Sequence, residues 1–117
     1  MDNINLTENI IDIIISQISG EAASIMGNDL VSAVVYGSCA RGDFGPDSDV
    51  DIALLTRCGR KESKKYNPAL SMLAADIAIK YFQVVNFVCL PYDEFLEKKS
   101  WYPYFANIDR EGKVIYG

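Results

Sequence analysis

Apolar and polar residues alternate along this chain with the periods of helices and strands. From about residue 6 to residue 26, apolar side chains recur every three to four positions, which predicts an amphipathic helix. Residues 31–36 are rich in valine and lead into Gly37, which predicts a buried strand that ends in a tight turn. Residues 39–48 contain glycine and proline and predict a loop with room for one helical turn.

The middle of the chain predicts a second strand and a second long helix. Residues 49–56 carry valine, isoleucine and leucine at alternate positions, and most of the opposite face is apolar too, so both faces of this strand should be covered. Asn67 and Pro68 fit the N-cap and first position of a helix whose apolar stripe continues to Tyr81.

The last third of the chain predicts shorter elements. Residues 84–90 predict a third strand, buried by its composition. Pro91 opens a short acidic helix, a turn or helix follows over residues 102–109, and residues 114–116 predict a small closing strand. This mixture of helices and strands predicts an α/β domain.

Length, composition and charge narrow the class of protein. The chain has 117 residues, 50% of them hydrophobic, which fits one well-buried domain over residues 1–117 and argues against disorder. The formal net charge of -5 repels a phosphate backbone and disfavours nucleic acid as the main partner. Any bound nucleotide would therefore need local neutralisation by a metal ion.

The rarer residue types exclude several kinds of site. The chain has no histidine, which excludes histidine-based triads and zinc sites that use imidazole. Its three cysteines are widely spaced, so they predict no disulfide framework and fit a reducing cytoplasm. The apolar run over residues 10–15 is interrupted by Asp12 and lacks the basic start of a signal peptide and the length of a membrane span. We expect a soluble cytoplasmic protein.

The strongest chemical signal is a pair of carboxylates on the second strand. Residues two apart on a strand point to the same side, so Asp49 and Asp51 present two carboxylates on one face. Two such charges repel each other on a buried strand, whereas Mg²⁺, which prefers oxygen ligands, converts the repulsion into coordination. Asp49 and Asp51 are therefore candidate metal ligands.

A phosphate site is predicted beside these carboxylates. If the first two strands form a hairpin, Gly37 and Ser38 lie next to Asp49 and Asp51. Glycine allows the backbone to approach a phosphate closely, and the Ser38 hydroxyl and nearby amides can donate to anionic oxygens. Two metal ions about 3.5–4 Å apart would stabilise the attacking hydroxyl and the departing pyrophosphate of an in-line displacement.

The motif Gly-Ser, ten residues, then Asp-x-Asp resembles the signature of the DNA polymerase β-like nucleotidyltransferase superfamily. Gly-Ser-Cys-Ala-Arg-Gly-Asp followed by Asp-Ser-Asp-Val-Asp-Ile is similar to its bacterial minimal nucleotidyltransferase branch. The resemblance implies the polymerase β-like α+β fold, with a mixed sheet of three to four strands and packed helices. It also implies Mg²⁺, ATP or another nucleoside triphosphate, and transfer of AMP to a tyrosine hydroxyl of a HEPN-domain toxin, for which the chain would act as antitoxin.

The resemblance also identifies a departure at residue 86. The superfamily places a third carboxylate on the strand after the second helix, and the equivalent residue here is Asn86. An amide ligates metal weakly and cannot accept a proton from the acceptor hydroxyl. The alternatives are a residual catalytic role for Asn86 and a buried asparagine that is hydrogen-bonded to its neighbours. We expect reduced or lost activity.

Other polar and aromatic residues have less specific interpretations. Arg41 could bind a phosphate or pair with Asp43 or Asp47. Cys39 is expected to be a small packed residue rather than a nucleophile. A basic cluster is expected to be solvated, and the alternative is that it binds an acidic surface of a partner. An aromatic cluster is expected in the core, and the alternative is that it contacts a partner or a nucleobase. These groups are Arg57, Arg60, Lys61, Lys64 and Lys65, and Trp101, Tyr102, Tyr104 and Phe105.

Three functional hypotheses follow. The first is a magnesium-dependent enzyme that modifies a HEPN toxin, and the second is a catalytically degraded antitoxin or nucleotide sensor that acts by binding its partner. The third is transfer to a small molecule such as an aminoglycoside, ranked last because little of the chain remains to build an acceptor pocket. Either a homo-oligomer or a hetero-oligomer is compatible with the sequence.

Overall fold

Four short strands form one mixed sheet. A computed structural model of the chain describes residues 4–42 and 47–117, with side chains from residue 10 onward. The strands are β1 (Leu30–Tyr36), β2 (Val50–Thr56), β3 (Val85–Pro91) and β4 (Lys113–Tyr116). Their order in the sheet is β3-β2-β1-β4. β1 runs antiparallel to both β2 and β4, while β2 and β3 are parallel. The predicted mixed sheet is confirmed.

In the described part of the chain, six helices surround or border this sheet. They are α1 (Ile4–Met26), α2 (Ser38–Arg41), α3 (Arg60–Ser63), α4 (Asn67–Tyr81), α5 (Tyr92–Lys98) and α6 (Pro103–Glu111), with 3-10 turns at Gly27–Asp29 and Lys64–Tyr66. The helical turn allowed for in the loop after β1 is α2, while residues 43–46 of that loop lie outside the described part.

The predicted N-cap of α4 is wrong by one residue. Tyr66 is the N-cap, and Asn67 is already helical, so Pro68 occupies the second helical position. Proline remains compatible with the first turn because its missing N–H has no partner within the helix at that point.

One face of the sheet packs against the two long helices. Ile14 and Ile18 of α1 and Ile77 of α4 are fully buried against Ile52 and Leu54 of β2. The 3.6-residue period of α1 and α4 and the two-residue period of β2 place these side chains on facing surfaces. This first layer holds most of the core.

The other face packs against the two short C-terminal helices. Phe95 of α5 and Ile108 of α6 are buried with Ala53 and Leu55 of β2 in this second layer. β2 is therefore covered on both faces, as predicted. Asp51, by alternation along β2, lies on the same face as Ala53 and Leu55.

The prediction that the third strand is buried is only partly correct. β3 is an edge strand, and among its residues only Val85 and Leu90 are buried while Asn86 is exposed. Apolar composition cannot distinguish a central strand from an edge strand, because both carry an apolar face.

The apolar run over residues 10–15 is part of a longer apolar helix segment. By length and composition, the 20-residue segment Ile10–Asp29 could cross a membrane. In this fold, however, Ile14, Ile18 and Ala22 of that segment are fully buried in the first layer. Packing on the sheet thus accounts for the buried stripe of α1, whereas Ile10 and Ile13 on the same helix are exposed.

Candidate functional site

The sheet brings the candidate residues together at one end. Tyr36, the last residue of β1, lies opposite Asp51 in the antiparallel register, and Asn86 of β3 is the parallel partner of Asp51. Asp49 directly precedes β2, and Gly37 directly follows β1. The predicted hairpin between the first two strands is present, and it places Gly37 beside the carboxylate pair.

Asn86 links the two carboxylates. Its side-chain Nδ2 donates to Asp49 Oδ2 at 3.0 Å and to Asp51 Oδ1 at 3.2 Å. Ionised carboxylates only accept hydrogen bonds, so an asparagine in this position must present its NH₂ group to them. The two aspartates therefore converge within hydrogen-bonding reach of a single nitrogen atom.

Gly37 occupies a backbone conformation reserved for glycine. Its dihedral angles are φ 74° and ψ -153°, and a Cβ atom at this position would lie 2.8 Å from Asp51 Oδ2. Both the positive φ and the close approach exclude a side chain. The role of glycine in this turn is therefore to let the backbone pass against the carboxylate of Asp51.

Ser38 begins the short helix α2 beside the carboxylates. The turn is closed by a hydrogen bond from the Arg41 N–H to the Gly37 carbonyl at 3.1 Å. The Ser38 side chain is half-buried, and within the described ranges its hydroxyl has no hydrogen-bond partner. A hydroxyl and backbone amides are thus available to an anionic ligand next to Asp49 and Asp51.

Arg41 has a partner that sequence reasoning missed. Its Nη1 lies 3.2 Å from Glu111 Oε2 at the end of α6. Asp43, one of the two partners considered from the sequence, lies outside the described residues. The Arg41–Glu111 pair is partly exposed to solvent, so it is weak enough for a phosphate to compete with it.

The donor set fits Mg²⁺ held together with a nucleotide. Asp49 and Asp51 supply two carboxylates, and among residues 4–42 and 47–117 no group of three or more acidic or cysteine side chains could hold a metal ion. Mg²⁺ commonly binds through one or two carboxylates plus substrate phosphates. The site therefore fits a cation whose remaining ligands come from phosphate oxygens and water.

A comparison with protein families decides the identity of this fold. The model of the nucleotidyltransferase domain family matches residues 15–112, which include the glycine–serine turn, both aspartates and Asn86. The chain belongs to the nucleotidyltransferase domain family. The matched range includes β1, α2, β2 and β3, the elements that carry the candidate site.

Two further likenesses agree with this membership. A curated protein of Methanocaldococcus jannaschii, named as a candidate protein adenylyltransferase, is 28% identical over 83 residues, covering 71% of this chain and 75% of the relative. The crystal structure of a toxin-antitoxin with AMP-PNP superimposes with a TM-score of 0.56 at 22% identity, covering 96% of this chain and 74% of that chain. The structural likeness shows the same fold.

A pair of tyrosines borders the site of this nucleotidyltransferase domain. The hydroxyls of Tyr36 and Tyr104 lie 3.0 Å apart, and their rings pack edge to face. Burial raises the pKa of the Tyr36 hydroxyl well above its usual value, and the hydrogen bond with Tyr104 and the charge of Asp51 act in the same direction. Tyr36 therefore stays neutral beside the carboxylates.

The loop between α4 and β3 is a second border that sequence reasoning missed. Gln83 Nε2 donates to the carbonyl of Ser48 at 2.9 Å, and the Val50 N–H donates to the carbonyl of Val84 at 2.9 Å. These two bonds hold the loop on either side of Asp49. No local sequence pattern signals them, because they join residues more than thirty positions apart.

The remaining predicted features lie away from the site or pack into the fold. In the basic cluster, Arg60 pairs with Glu94 and Lys65 lies 3.6 Å from Asp29, beyond the opposite end of β2 from Asp51. Burial raises the pKa of the Cys39 thiol, despite the nearby Lys113, which fits a packed residue rather than a nucleophile.

The predicted aromatic core is correct for one residue of the four. Phe105 is buried in the second layer, whereas Trp101, Tyr102 and Tyr104 are exposed. These three rings are joined to Phe105 through a chain of edge and tilted contacts. A partner or nucleobase contact for the exposed rings stays a prediction.

Proposed function

We propose that this chain is a magnesium-dependent nucleotidyltransferase that transfers a nucleoside monophosphate, AMP from ATP in the first instance, to a protein hydroxyl. The observation that carries the proposal is the convergence of Asp49 and Asp51 beside the Gly37–Ser38 turn. Membership of the nucleotidyltransferase family and similarity to a candidate protein adenylyltransferase support it.

Each residue has a defined task in this proposal. The Ser38 hydroxyl and the amides of α2 bind the phosphates, and Gly37 keeps the turn close to Asp51. Asp49 and Asp51 would hold Mg²⁺, which neutralises the triphosphate in an acidic protein and stabilises the departing pyrophosphate. A bond forms between the acceptor oxygen and the α-phosphorus, the bond to pyrophosphate breaks, and the hydroxyl proton passes to solvent.

Asn86 is the reason for expecting slow transfer. It stands where the superfamily has a third carboxylate, and its NH₂ group faces both aspartates. An amide cannot accept the proton of the attacking hydroxyl, and general-base catalysis contributes about 10²- to 10⁴-fold to such reactions. The same observation favours a second candidate function, in which the chain binds nucleotide and neutralises its partner by contact alone.

The partner that we propose is a HEPN-domain toxin in the cytoplasm, with a tyrosine as the acceptor. The toxin-antitoxin complex with AMP-PNP supports an antitoxin role, since its fold matches 96% of this chain. The acidic net charge of -5 also favours a protein acceptor over nucleic acid.

Transfer of label from α-labelled ATP to a co-expressed HEPN-domain protein tests this function. We expect slow, Mg²⁺-dependent labelling by the native chain, none by an Asp49→Ala/Asp51→Ala double variant, and labelling at least about tenfold faster by Asn86→Asp. Equal rates for the native chain and Asn86→Asp would refute the role given to Asn86. Tight complex formation with no labelling by the native chain would favour the binding function.

A further inference from the structure

Phe82 combines an unfavourable backbone conformation with an exposed side chain. It caps the C-terminus of α4 with φ 55°, and in the described ranges it is the one residue other than glycine with a positive φ. Glycine or asparagine normally occupies this cap, because a Cβ atom is strained there. The Phe82 side chain is 94% exposed, so it gains almost nothing from packing in this fold.

Phe82 directly precedes the loop residues that border Asp49. The next two residues, Gln83 and Val84, form the hydrogen bonds to Ser48 and Val50 that hold the loop on both sides of Asp49. Val84 is itself 53% exposed. Phe82 and Val84 are thus two exposed apolar residues of the loop that borders Asp49, and we call this pair the Phe82 rim.

The geometry of the proposed reaction decides which ligand faces this rim. The leaving pyrophosphate would lie on Gly37 and Ser38, which follow β1, and an in-line displacement brings the nucleophile to the opposite side of the phosphorus. β3 lies on the opposite side of β2 from β1. The acceptor hydroxyl therefore approaches from the side of β3, where Asn86 and the Phe82 rim lie.

We propose that the Phe82 rim is the docking contact for the protein acceptor, which inserts an apolar side chain against Phe82 and Val84 and presents its hydroxyl at Asn86. This inference rests on the proposed function. An exposed aromatic residue on a rigid backbone is typical of the few residues that dominate binding at protein interfaces. A strained residue kept beside a site is likewise a feature that function explains better than folding.

The test compares three variants with the HEPN-domain protein as acceptor. Phe82→Gly removes the ring and suits the left-handed cap, Val84→Ser removes the second rim contact, and Met72→Ser is the matched control. Met72 is 74% exposed on the same helix and lies ten residues before Phe82, about 15 Å along the axis. The measurements are KM and kcat for the acceptor, the Kd of each variant for the HEPN protein and for ATP, and Tm.

The proposal predicts an effect on the acceptor alone. Phe82→Gly should raise the acceptor KM and the Kd for the HEPN protein at least about tenfold, Val84→Ser less, and Met72→Ser not at all. The Kd for ATP should not change, and Tm should stay equal or rise because glycine relieves the strained cap.

Four results would overturn the proposal. They are an unchanged acceptor KM and Kd in Phe82→Gly, a weaker ATP affinity in that variant, an equal loss in Met72→Ser, and dissociation of a homodimer of this chain with no change toward the acceptor. A weaker ATP affinity would indicate that the Phe82 ring contacts the nucleobase. Dissociation of a homodimer would indicate that the ring lies between two copies of this chain. If the native chain transfers no label, the proposed function is wrong. The Kd of each variant for the HEPN protein would still test whether the Phe82 rim is the docking contact.

Discussion

At the scale of single residues, the arrangement of the site depends on Gly37 and Asn86, which lie against the two carboxylates. The backbone at Gly37 passes within contact distance of the Asp51 carboxylate, and the NH₂ group of Asn86 stands between Asp51 and Asp49. Glycine makes room for one carboxylate, while asparagine offsets the repulsion between the two. Both residues therefore determine how the carboxylate pair is oriented toward a ligand.

Gly37→Ala should abolish ATP binding and lower the free energy of unfolding by about 1–3 kcal/mol, because its Cβ would meet Asp51 Oδ2 in a strained conformation. Urea denaturation and calorimetry with Mg²⁺ and ATP measure the two effects. Gly42→Ala is the matched control, since Gly42 also has a positive φ of 83° but no atom of the described residues lies within 4 Å of its added Cβ. Equal loss of ATP binding in both variants would show that strain, rather than the contact with Asp51, is responsible.

The Tyr36 hydroxyl makes stability depend on pH in the alkaline range. Burial and the bond with Tyr104 raise its folded-state pKa above the ordinary value of about 10, so its contribution to stability is complete below pH 10 or so and is lost as the pH rises further. We expect the free energy of unfolding to fall as the pH rises from about 10 toward the raised folded-state pKa, with a shallower slope in Tyr36→Phe. Urea denaturation at several pH values measures it, and parallel slopes would contradict the assignment to Tyr36.

Sequence reasoning found the residues of the site that a local pattern encodes. The two-residue period of a strand places Asp49 and Asp51 on one side, and a hairpin brings Gly37 to them, so all three were predictable. The partners Glu111, Tyr104 and Gln83 were not, because they reach the site from elements distant in the chain. Only the packing of α6 and of the α4–β3 loop on the sheet creates these contacts.

At the scale of secondary structure, β2 is the element on which both the core and the site depend. It lies between β1 and β3, contributes buried side chains to both layers, and begins directly after Asp49. That this segment forms a strand covered on both faces was predictable from its pattern of apolar residues. The edge position of β3 was not, because composition does not encode which strands pair with β3.

Leu54→Ala should lower the free energy of unfolding by about 2–5 kcal/mol, since Leu54 is fully buried in the centre of the sheet. Met72→Ala, on the exposed side of α4, should change it by less than about 0.5 kcal/mol. Urea denaturation of the three proteins provides the comparison. Similar values for the two variants would contradict the assignment of β2 to the centre of the core.

At the scale of the whole molecule, the fold gathers its polar chemistry at one end of the sheet in an otherwise acidic chain. The turn after β1, the start of β2, the loop before β3 and the N-terminal end of α6 all meet there. An acidic protein repels a triphosphate, so under the proposed function nucleotide binding is coupled to a cation. Composition alone predicts this coupling, whereas the side that we propose for the acceptor rests on the order of the strands.

The most direct test of this account is calorimetric binding of ATP with and without Mg²⁺. We compare the native chain with Asp49→Asn and Asp51→Asn, which keep the size of each side chain and remove its charge. The account predicts that the native chain binds ATP only with Mg²⁺ and that each variant loses this binding by at least about tenfold. Binding that is independent of Mg²⁺, or equal in the variants, would contradict the assignment of Asp49 and Asp51 as the ligands of a nucleotide-bound metal ion.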